Sequence, residues 1–358
     1  MANMRAVGQS FYQSAHQLGF SHTDCAVPDI KGGKGPSTSL FINDDTPRPK
    51  PTAAQALVRV KAFGLNRMDL LQREGMYPVP PQAPKTLGVE FSGVIEELAG
   101  ESEQSFKKGD AVFGLAYGGA YAEYIAVSTH MLVHKPDDLS WEQSAGIPET
   151  WITALQAMYI IAEWRPGKSI LWHAGASSVS IAGIQLSKAD GASAIYATAR
   201  QDEKCKFCVD QLGATAAFNS EKSDWAEDVL KATDGKGVDV IVDYIGAAYF
   251  DQNLRAAARD GRIVSLAAMG GAKLKGGEDI STFVRKRLRF EGSSLRSRDE
   301  DYQGKLRNQM VEHAMPKFKD GSFQIHIEKV FDWEQIVEAH QLMESNKTKG
   351  KLICTIKW

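Results

Sequence analysis

Residues 172–188 read WHAGASSVSIAGIQLSK and follow an apolar run, KSILW, at 168–172. An apolar strand, a tight turn and the start of a helix together present backbone N–H groups to a phosphate. Such a loop uses one glycine to turn, a second to let backbone approach a pyrophosphate, and a third to pack helix on strand. Gly175 fills the first role here, whereas Ser177 and Ser180 stand in the second and third. Serine is small, and its hydroxyl can donate to a phosphate oxygen. The candidate phosphate contacts are therefore Gly175, Ala176, Ser177, Ser178, Val179 and Ser180, with the added hydroxyls either gripping the pyrophosphate or crowding it. The same residues also fit a serine-capped helix behind a buried strand.

Arg200 and Lys204 follow a second apolar run, AIYATA, at 194–199. A site for NAD places an acid about 20 residues beyond the loop, where it accepts from the ribose 2′-OH. Two cations suit a 2′-phosphate instead, and arginine grips one with a fork of donors. NADPH is the expected cofactor, although Asp202 and Glu203 lie between the cations, and both cations also fit a solvated helix start. The close thiol pair Cys205-Lys-Phe-Cys208 has no second pair, so it reads as two thiols on a helix and no metal site is expected. The stretch FVRKRLRFEGSSLRSR at 283–298 carries six basic residues, but the acidic DED directly after it argues against a nucleic-acid footprint.

The elements that must position these residues change character near Ser140. Before it lie loops such as GGKGPSTS and DDTPRPKPT and short β-type runs: SLFIN, ALVRVKAFG, GVEFSGVIEEL, DAVFGLA and AEYIAV. Ser140, with Gln143 three residues on, predicts a capped helix running through SWEQSAGIPETWITALQAMYIIAEW. Strands and helices then alternate: SILW (169–172), AIYATA (194–199), TAAFN (215–219), VDVIVDYIG (238–246), RIVSLAAMG (262–270) and LRFEGSSL (288–295) are the strands. That alternation predicts an α/β class, a doubly wound parallel sheet of Rossmann type. The tail, with a helical stretch at 300–320, IHIEKVF, a helix near 333–345 and KLICTIK, is expected to rejoin the N-terminal β domain.

Bulk properties agree with a two-domain globular protein: 358 residues, 43% hydrophobic, 24% charged, net charge −2. The near-neutral charge predicts no general attraction to nucleic acid or membrane. Four cysteines in this length suggest a reducing compartment, no apolar stretch is long enough to span a bilayer, and the start lacks a signal-peptide core; MRAV reads as a first strand. A soluble, cytoplasmic protein is expected.

The segment GLNRMDLLQREGMYPVPPQAPKTLGVEFSGVIEEL (64–98) resembles the zinc-independent quinone oxidoreductases of the medium-chain dehydrogenase/reductase superfamily, the zeta-crystallin-like group, and within it the p53-inducible quinone oxidoreductase subgroup. The resemblance continues through GGAYAEYIAV, AGIPETWITALQ, HAGASSVSIAGIQL, DYIG, GRIVSLAAMGG, SSLRSR and EAHQLMESNKTKGKLI. It departs in an insertion around residues 10–38, in the loop serines, and at Ser220, where relatives carry a tyrosine after FN. It implies a GroES-like β-barrel domain over 1–149 and 297–358, with a Rossmann domain over 150–296. It also implies NADPH-dependent hydride transfer to a small quinone or activated enone without metal. Zinc dehydrogenases carry a ligand Cys where this chain has Asn66 and a His where it has Val89.

By that resemblance Asn66, Tyr77 and Thr153 lie at the nicotinamide and substrate. Asn219, Ile245, Gly246, Ala268, Met269, Gly270, Leu295, Arg296 and Arg298 join the cofactor contacts. Tyr77 also fits a ring packed in its proline-rich loop, and Thr153 a hydroxyl bonded to its own helix. A homodimer is expected, with a candidate edge strand at 288–295. The alternatives are an enoyl-thioester or 2-alkenal double-bond reductase, and an NADPH-binding or RNA-binding protein with little catalysis.

Overall fold

The computed structural model describes residues 3–9, 35–100 and 105–358; the expected insertion lies, up to residue 34, outside the described residues. β1 (Asn3–Gln9) pairs antiparallel with β2 (Leu40–Pro47). β3 (Gln55–Gly64), β4 (Glu90–Ala99), β5 (Ala111–Leu115), β6 (Tyr124–Ser128) and β7 (Leu132–His134) follow. Next come β8 (Ser169–Trp172), β9 (Ala194–Ala199), β10 (Ala216–Asn219), β11 (Val238–Asp243), β12 (Ala257–Ser265) and β13 (Arg289–Gly292). β14 (Ile327–Asp332) and β15 (Lys351–Thr355) close the chain. The chain divides into two compact units, Met1–Glu149 with Arg296–Trp358, and Thr150–Leu295.

In the second unit all strand pairs are parallel, in the order β10-β9-β8-β11-β12-β13. This is the doubly wound order, and it reverses between β8 and β11. β8, β9 and β11 read as nearly unbroken apolar runs because helices cover both faces of such a sheet. Leu171, Ile241, Ile263, Trp225, Val229 and Leu254 fill one side. Each large apolar side chain withdrawn from water contributes about 1.5–3 kcal/mol. The helix Ser178–Ala189 lies close on β8 because Gly183 has no side chain: a Cβ there would come within 2.2 Å of the Trp172 indole. The indole N–H in turn donates to Ser187 Oγ at 3.1 Å.

The first unit holds a seven-stranded sheet in which β15 runs antiparallel to β3 and parallel to β14, and β6 also pairs with β3. The tail therefore completes the N-terminal β unit. The helix Arg67–Arg73 is anchored by fully buried Arg73, which donates to Gly35 O and Glu344 and meets His340 Nδ1 at 2.9 Å. Burial beside that guanidinium pushes the His340 imidazole down to about 3, so the ring is neutral.

One expected helix is divided. Ser140 and Gln143 do form the capping box, but the helix ends at Ala145 and a second covers Pro148–Leu155, followed by a π-helical turn over Gln156–Ile161. Pro148 has no N–H to continue the first helix and fits at the start of the next. Pro316 divides the 300–320 stretch in the same way, into Glu300–His313 and Met315–Lys319.

Candidate functional site

The sheet unit brings its candidate residues to the carboxyl ends of neighbouring strands. β8 runs into His173, Ala174 takes a left-handed backbone at φ 46°, and the Gly175 N–H donates to Thr198 O at 2.8 Å. A Cβ on Gly175 would stand 2.7 Å from both Ala197 Cβ and Cys208 Sγ, so the turn needs glycine. Ser177 is the N-cap and its Oγ accepts from Ser180 N. The N–H groups of Ser178 and Val179 belong to the first helical turn, which has no backbone acceptor for them. Both residues are partly exposed.

Ser180 behaves differently from the expectation of a hydroxyl that grips or crowds a phosphate. It is fully buried, and its Oγ donates to His173 O at 2.7 Å, with Tyr244 Oη at 3.3 Å. Its side chain therefore ties the helix to the strand, much as the third glycine would. His173, which sequence reasoning passed over, is buried with Nδ1 2.8 Å from Thr198 Oγ1 and Nε2 2.7 Å from Asn253 Oδ1. Burial holds its pKa below the usual range. Both nitrogens are occupied, so it is a neutral brace beneath the loop.

At the end of β9, Arg200 is exposed and Lys204 partly so. Asp202, the acid that weighed against a 2′-phosphate, is ion-paired with Lys222 and accepts from Asn219 Nδ2. These contacts hold its carboxyl below the usual range. Ser220, where the resemblance leads to the expectation of a tyrosine, is reached by the side chain of Tyr249, with the Arg200 charge nearby.

Beyond β11 and β12, Asp243 accepts from the N–H groups of Ile245 and Gly246, while Met269 N donates to Tyr244 O and Gly270 N to Ile245 O. The two loops carrying Ile245, Gly246, Ala268, Met269 and Gly270 are thus laced together. Leu295 is buried. Thr153 does not make the bond to its own helix that a purely structural hydroxyl would make: its Oγ1 is buried with no hydrogen-bond partner. An orphaned hydroxyl, a turn that only glycine fits and the unbonded N–H groups of Ser178 and Val179 make a donor set that fits a dinucleotide.

The first unit carries a separate polar cluster. Asn66 precedes the helix Arg67–Arg73; its Nδ2 donates to Glu90 Oε1 at 2.9 Å and its Oδ1 accepts from Lys351 Nζ at 2.7 Å. Lys351 and Glu90 are ion-paired and almost wholly buried, and Glu90 Oε2 also accepts from Glu149 N at 3.0 Å. Asp69 accepts from Asn66 N, Gly88 N and the Tyr121 hydroxyl. Burial pushes the Asp69 carboxyl up to about 6; burial together with Glu90 pushes that of Glu149 up to about 7. Burial, with a contribution from Glu149, also raises Tyr77, while Arg296 partly offsets this.

Arg296 is the first residue of the returning segment. Its Nε donates to Tyr117 O at 2.6 Å and its Nη1 to Gln72 Oε1 at 2.7 Å, and its Cζ lies 5.3 Å from the Tyr77 ring centre. Arg298 is exposed and lies over Tyr302. The donor set does not fit zinc: Val89 is buried and has no ligand atom, and both ends of the Asn66 amide are occupied. Among the described residues no cluster of three or more His, Cys, Asp or Glu could hold a metal.

Glu90, Lys351, Asp69 and Glu149 were missed because their partnerships join distant strands and helices. A usable signal was present in charged residues set within apolar strand runs, Glu90 in GVEFSG and Lys351 in GKLIC.

A parallel doubly wound sheet with a glycine turn at its switch point, in one chain with a β unit assembled from segments before and after it, defines a two-domain nicotinamide-dependent oxidoreductase. Family models for an alcohol dehydrogenase GroES-like domain match residues 52–137 and for a zinc-binding dehydrogenase residues 178–311. The chain is 30% identical over 325 residues to quinone oxidoreductase-like protein 2 of Bos taurus, covering 89% of each chain. It is 28% identical to quinone oxidoreductase of Homo sapiens, over 88% of this chain and 93% of that one. A synaptic vesicle membrane protein VAT-1 homolog of Danio rerio is 28% identical over 86% of this chain, which spans 65% of that protein's length. Among solved structures, the quinone oxidoreductase of Pseudomonas syringae superposes with a TM-score of 0.80 at 26% identity, covering 99% of both chains. The CurK enoyl reductase gives 0.77 at 26%, over 91% of this chain and 97% of that one. The chain belongs to the zeta-crystallin-like quinone oxidoreductase family of the medium-chain dehydrogenase/reductases, and it is an oxidoreductase.

Proposed function

We propose that the protein uses NADPH to reduce a quinone or activated enone without a metal. The observation that carries the cofactor assignment is at the end of β9, where Arg200 is exposed and Asp202 is ion-paired with Lys222 and hydrogen-bonded by Asn219. That acid is engaged rather than presented to a ribose 2′-OH, and a cation is available for a 2′-phosphate. When bound, the dihydronicotinamide supplies a hydride. The chain's own residues bind and orient. After the turn at Gly175, Ala176, Ser178 and Val179 turn N–H groups to the pyrophosphate, Ser180 fixes the helix that carries them, and Arg200 with Lys204 receives the 2′-phosphate. Asn219, Ile245, Gly246, Ala268, Met269, Gly270 and Leu295 line the nucleotide, and Thr153 offers its unpartnered hydroxyl to the carboxamide end.

Asn66 and Tyr77 serve the acceptor. A conjugated acceptor spreads the incoming electrons over its own π system, so orientation and a hydrogen bond suffice without a Lewis acid. The 26% identity to an enoyl reductase keeps enoyl thioesters among the acceptors to be tried. We further read the protein as cytoplasmic and homodimeric; support for a dimer comes from exposed β13 and the neighbouring side chains of Ile280 and Val284, 72% and 80% exposed.

Titration with NADPH and NADH, followed by a panel of quinones, enones and enoyl thioesters, tests this reading. NADPH should bind markedly more tightly than NADH, and Arg200→Ala should remove most of that preference. Equal affinity for both nucleotides overturns the cofactor assignment, and tight NADPH binding with no turnover overturns the enzymatic one.

A further inference from the structure

Arg296 is 5% exposed, and its two hydrogen-bonded donors, Nε and Nη1, go to uncharged acceptors, a main-chain carbonyl and a glutamine amide. Its third nitrogen, Nη2, is buried with no acceptor. A buried guanidinium is costly; the charges of Asp69 and Glu149 and the side chain of Tyr77 act on it, yet Nη2 itself keeps no acceptor. The two bonds fix its plane, and Nη2 lies beside Gly118, where an added Cβ would stand 3.2 Å away. The group also sits against Tyr77, the other polar side chain expected at the acceptor. An exposed, solvated arginine has none of these features.

We infer that Arg296 is a substrate-side residue whose Nη2 receives the oxyanion that develops on the acceptor, rather than a contact to the cofactor. The inference rests on the quinone or enone reading above. When an enone takes up a hydride at its terminal carbon a new C–H bond forms, and when a quinone takes one up at one of its carbonyl oxygens a new O–H bond forms, the C4–H bond of the dihydronicotinamide breaking in either case. The π electrons shift and the carbonyl oxygen, for a quinone the other one, gains the negative charge. The two electrons come from the dihydronicotinamide, which is oxidised to the nicotinamide cation. The enolate or hydroquinone monoanion that remains takes a proton from water to become the enol or hydroquinone. A fixed N–H donor beside that oxygen stabilises the charge as it forms, with no reorganisation at that moment. Tyr77 supplies a flat ring beside the same guanidinium, suited to a planar acceptor.

The test uses 4-nitrophenolate as a stable oxyanion, followed by its absorbance on the full chain with NADP⁺ present, alongside NADPH titration and quinone kinetics. The wild-type chain should bind the phenolate competitively with quinone. Arg296→Met should weaken phenolate at least about tenfold and lower kcat/KM for quinone by about 10²–10³, the loss typical of a removed oxyanion donor, with the NADPH dissociation constant unchanged. Gly118→Ala keeps the charge and fills the space beside Nη2, so it should reproduce the phenolate loss even if Arg296→Met fails to fold. Weakened NADPH with unchanged phenolate binding in either variant overturns the inference and returns Arg296 to the cofactor. A wild-type chain that reduces no member of the acceptor panel defeats the functional reading instead, and phenolate binding still decides the role of Arg296.

Discussion

The hydroxyl of Ser180 points into the protein, bonded to the carbonyl that ends β8, so its contribution is to stability. Ser180→Gly removes the buried hydrogen bond to His173 O, about 1 kcal/mol, together with the longer contacts to Tyr244 Oη and Ser177 Oγ, and adds the cost of glycine in a helix, about another 1 kcal/mol. Urea unfolding should show that loss, while the NADPH dissociation constant stays essentially the same. The Lys351–Glu90 pair gives a larger effect. Lys351→Met leaves Glu90 buried without its ionic partner, a loss of about 3–5 kcal/mol, and Lys351→Met combined with Glu90→Gln should be less damaged than Lys351→Met alone. Glu149 works in the opposite sense. Its carboxyl keeps its proton up to about pH 7 in the folded chain, whereas the unfolded chain releases it near the ordinary carboxylate pKa. The folded state binds more protons through that window, so this group's contribution to stability falls as pH rises from about 4.5 to 7. Glu149→Gln should flatten that part of a stability-against-pH curve, and an unchanged slope would contradict the assignment. None of these partnerships was legible from local spacing. Asn66 stood out only through resemblance, and β4 reads as an ordinary strand whose buried acid finds its lysine on β15, beyond the whole of the sheet unit.

At the level of elements, the strands of the sheet unit were legible because burial on both faces leaves an apolar run with sharp ends. The helix after Ser140 was misjudged because the apolar spacing continues straight past Pro148, where the backbone hydrogen bonding cannot. The phosphate loop lies between these cases. Its place after β8 was readable, but the pattern of glycines did not report which positions are crowded. Contact with Ala197 and Cys208 makes Gly175 the intolerant one. Gly175→Ala should cost about 1–3 kcal/mol by overpacking and weaken NADPH, and adding Cys208→Ala should recover part of both. Differential scanning calorimetry and nucleotide titration of the single and double variants would check this.

For the whole molecule, the two-unit arrangement was readable from the switch in rhythm near Ser140 and from the β-type tail. For assembly the sequence offered only a candidate edge strand, and β13 does lie at the edge of the sheet, paired on one side with β12. If β13 joins its counterpart in a second chain, Val284→Asp should shift the protein toward monomer in light scattering; an unchanged mass would remove this edge from the interface.

The pairing of β15 with β3 has a consequence for how the chain comes into being. Every strand of the sheet unit finds its neighbours within one continuous stretch, Thr150–Leu295, so that unit can close while the ribosome is still at work. The Ala62–Gly64 end of β3 must wait for Ile353, Cys354 and Thr355, made only after the whole of the sheet unit, before its edge is covered. During synthesis the β unit is therefore the late and exposed half, and a truncation of the final strand should harm it far more than its small size suggests, by leaving an open sheet edge free to associate with other chains.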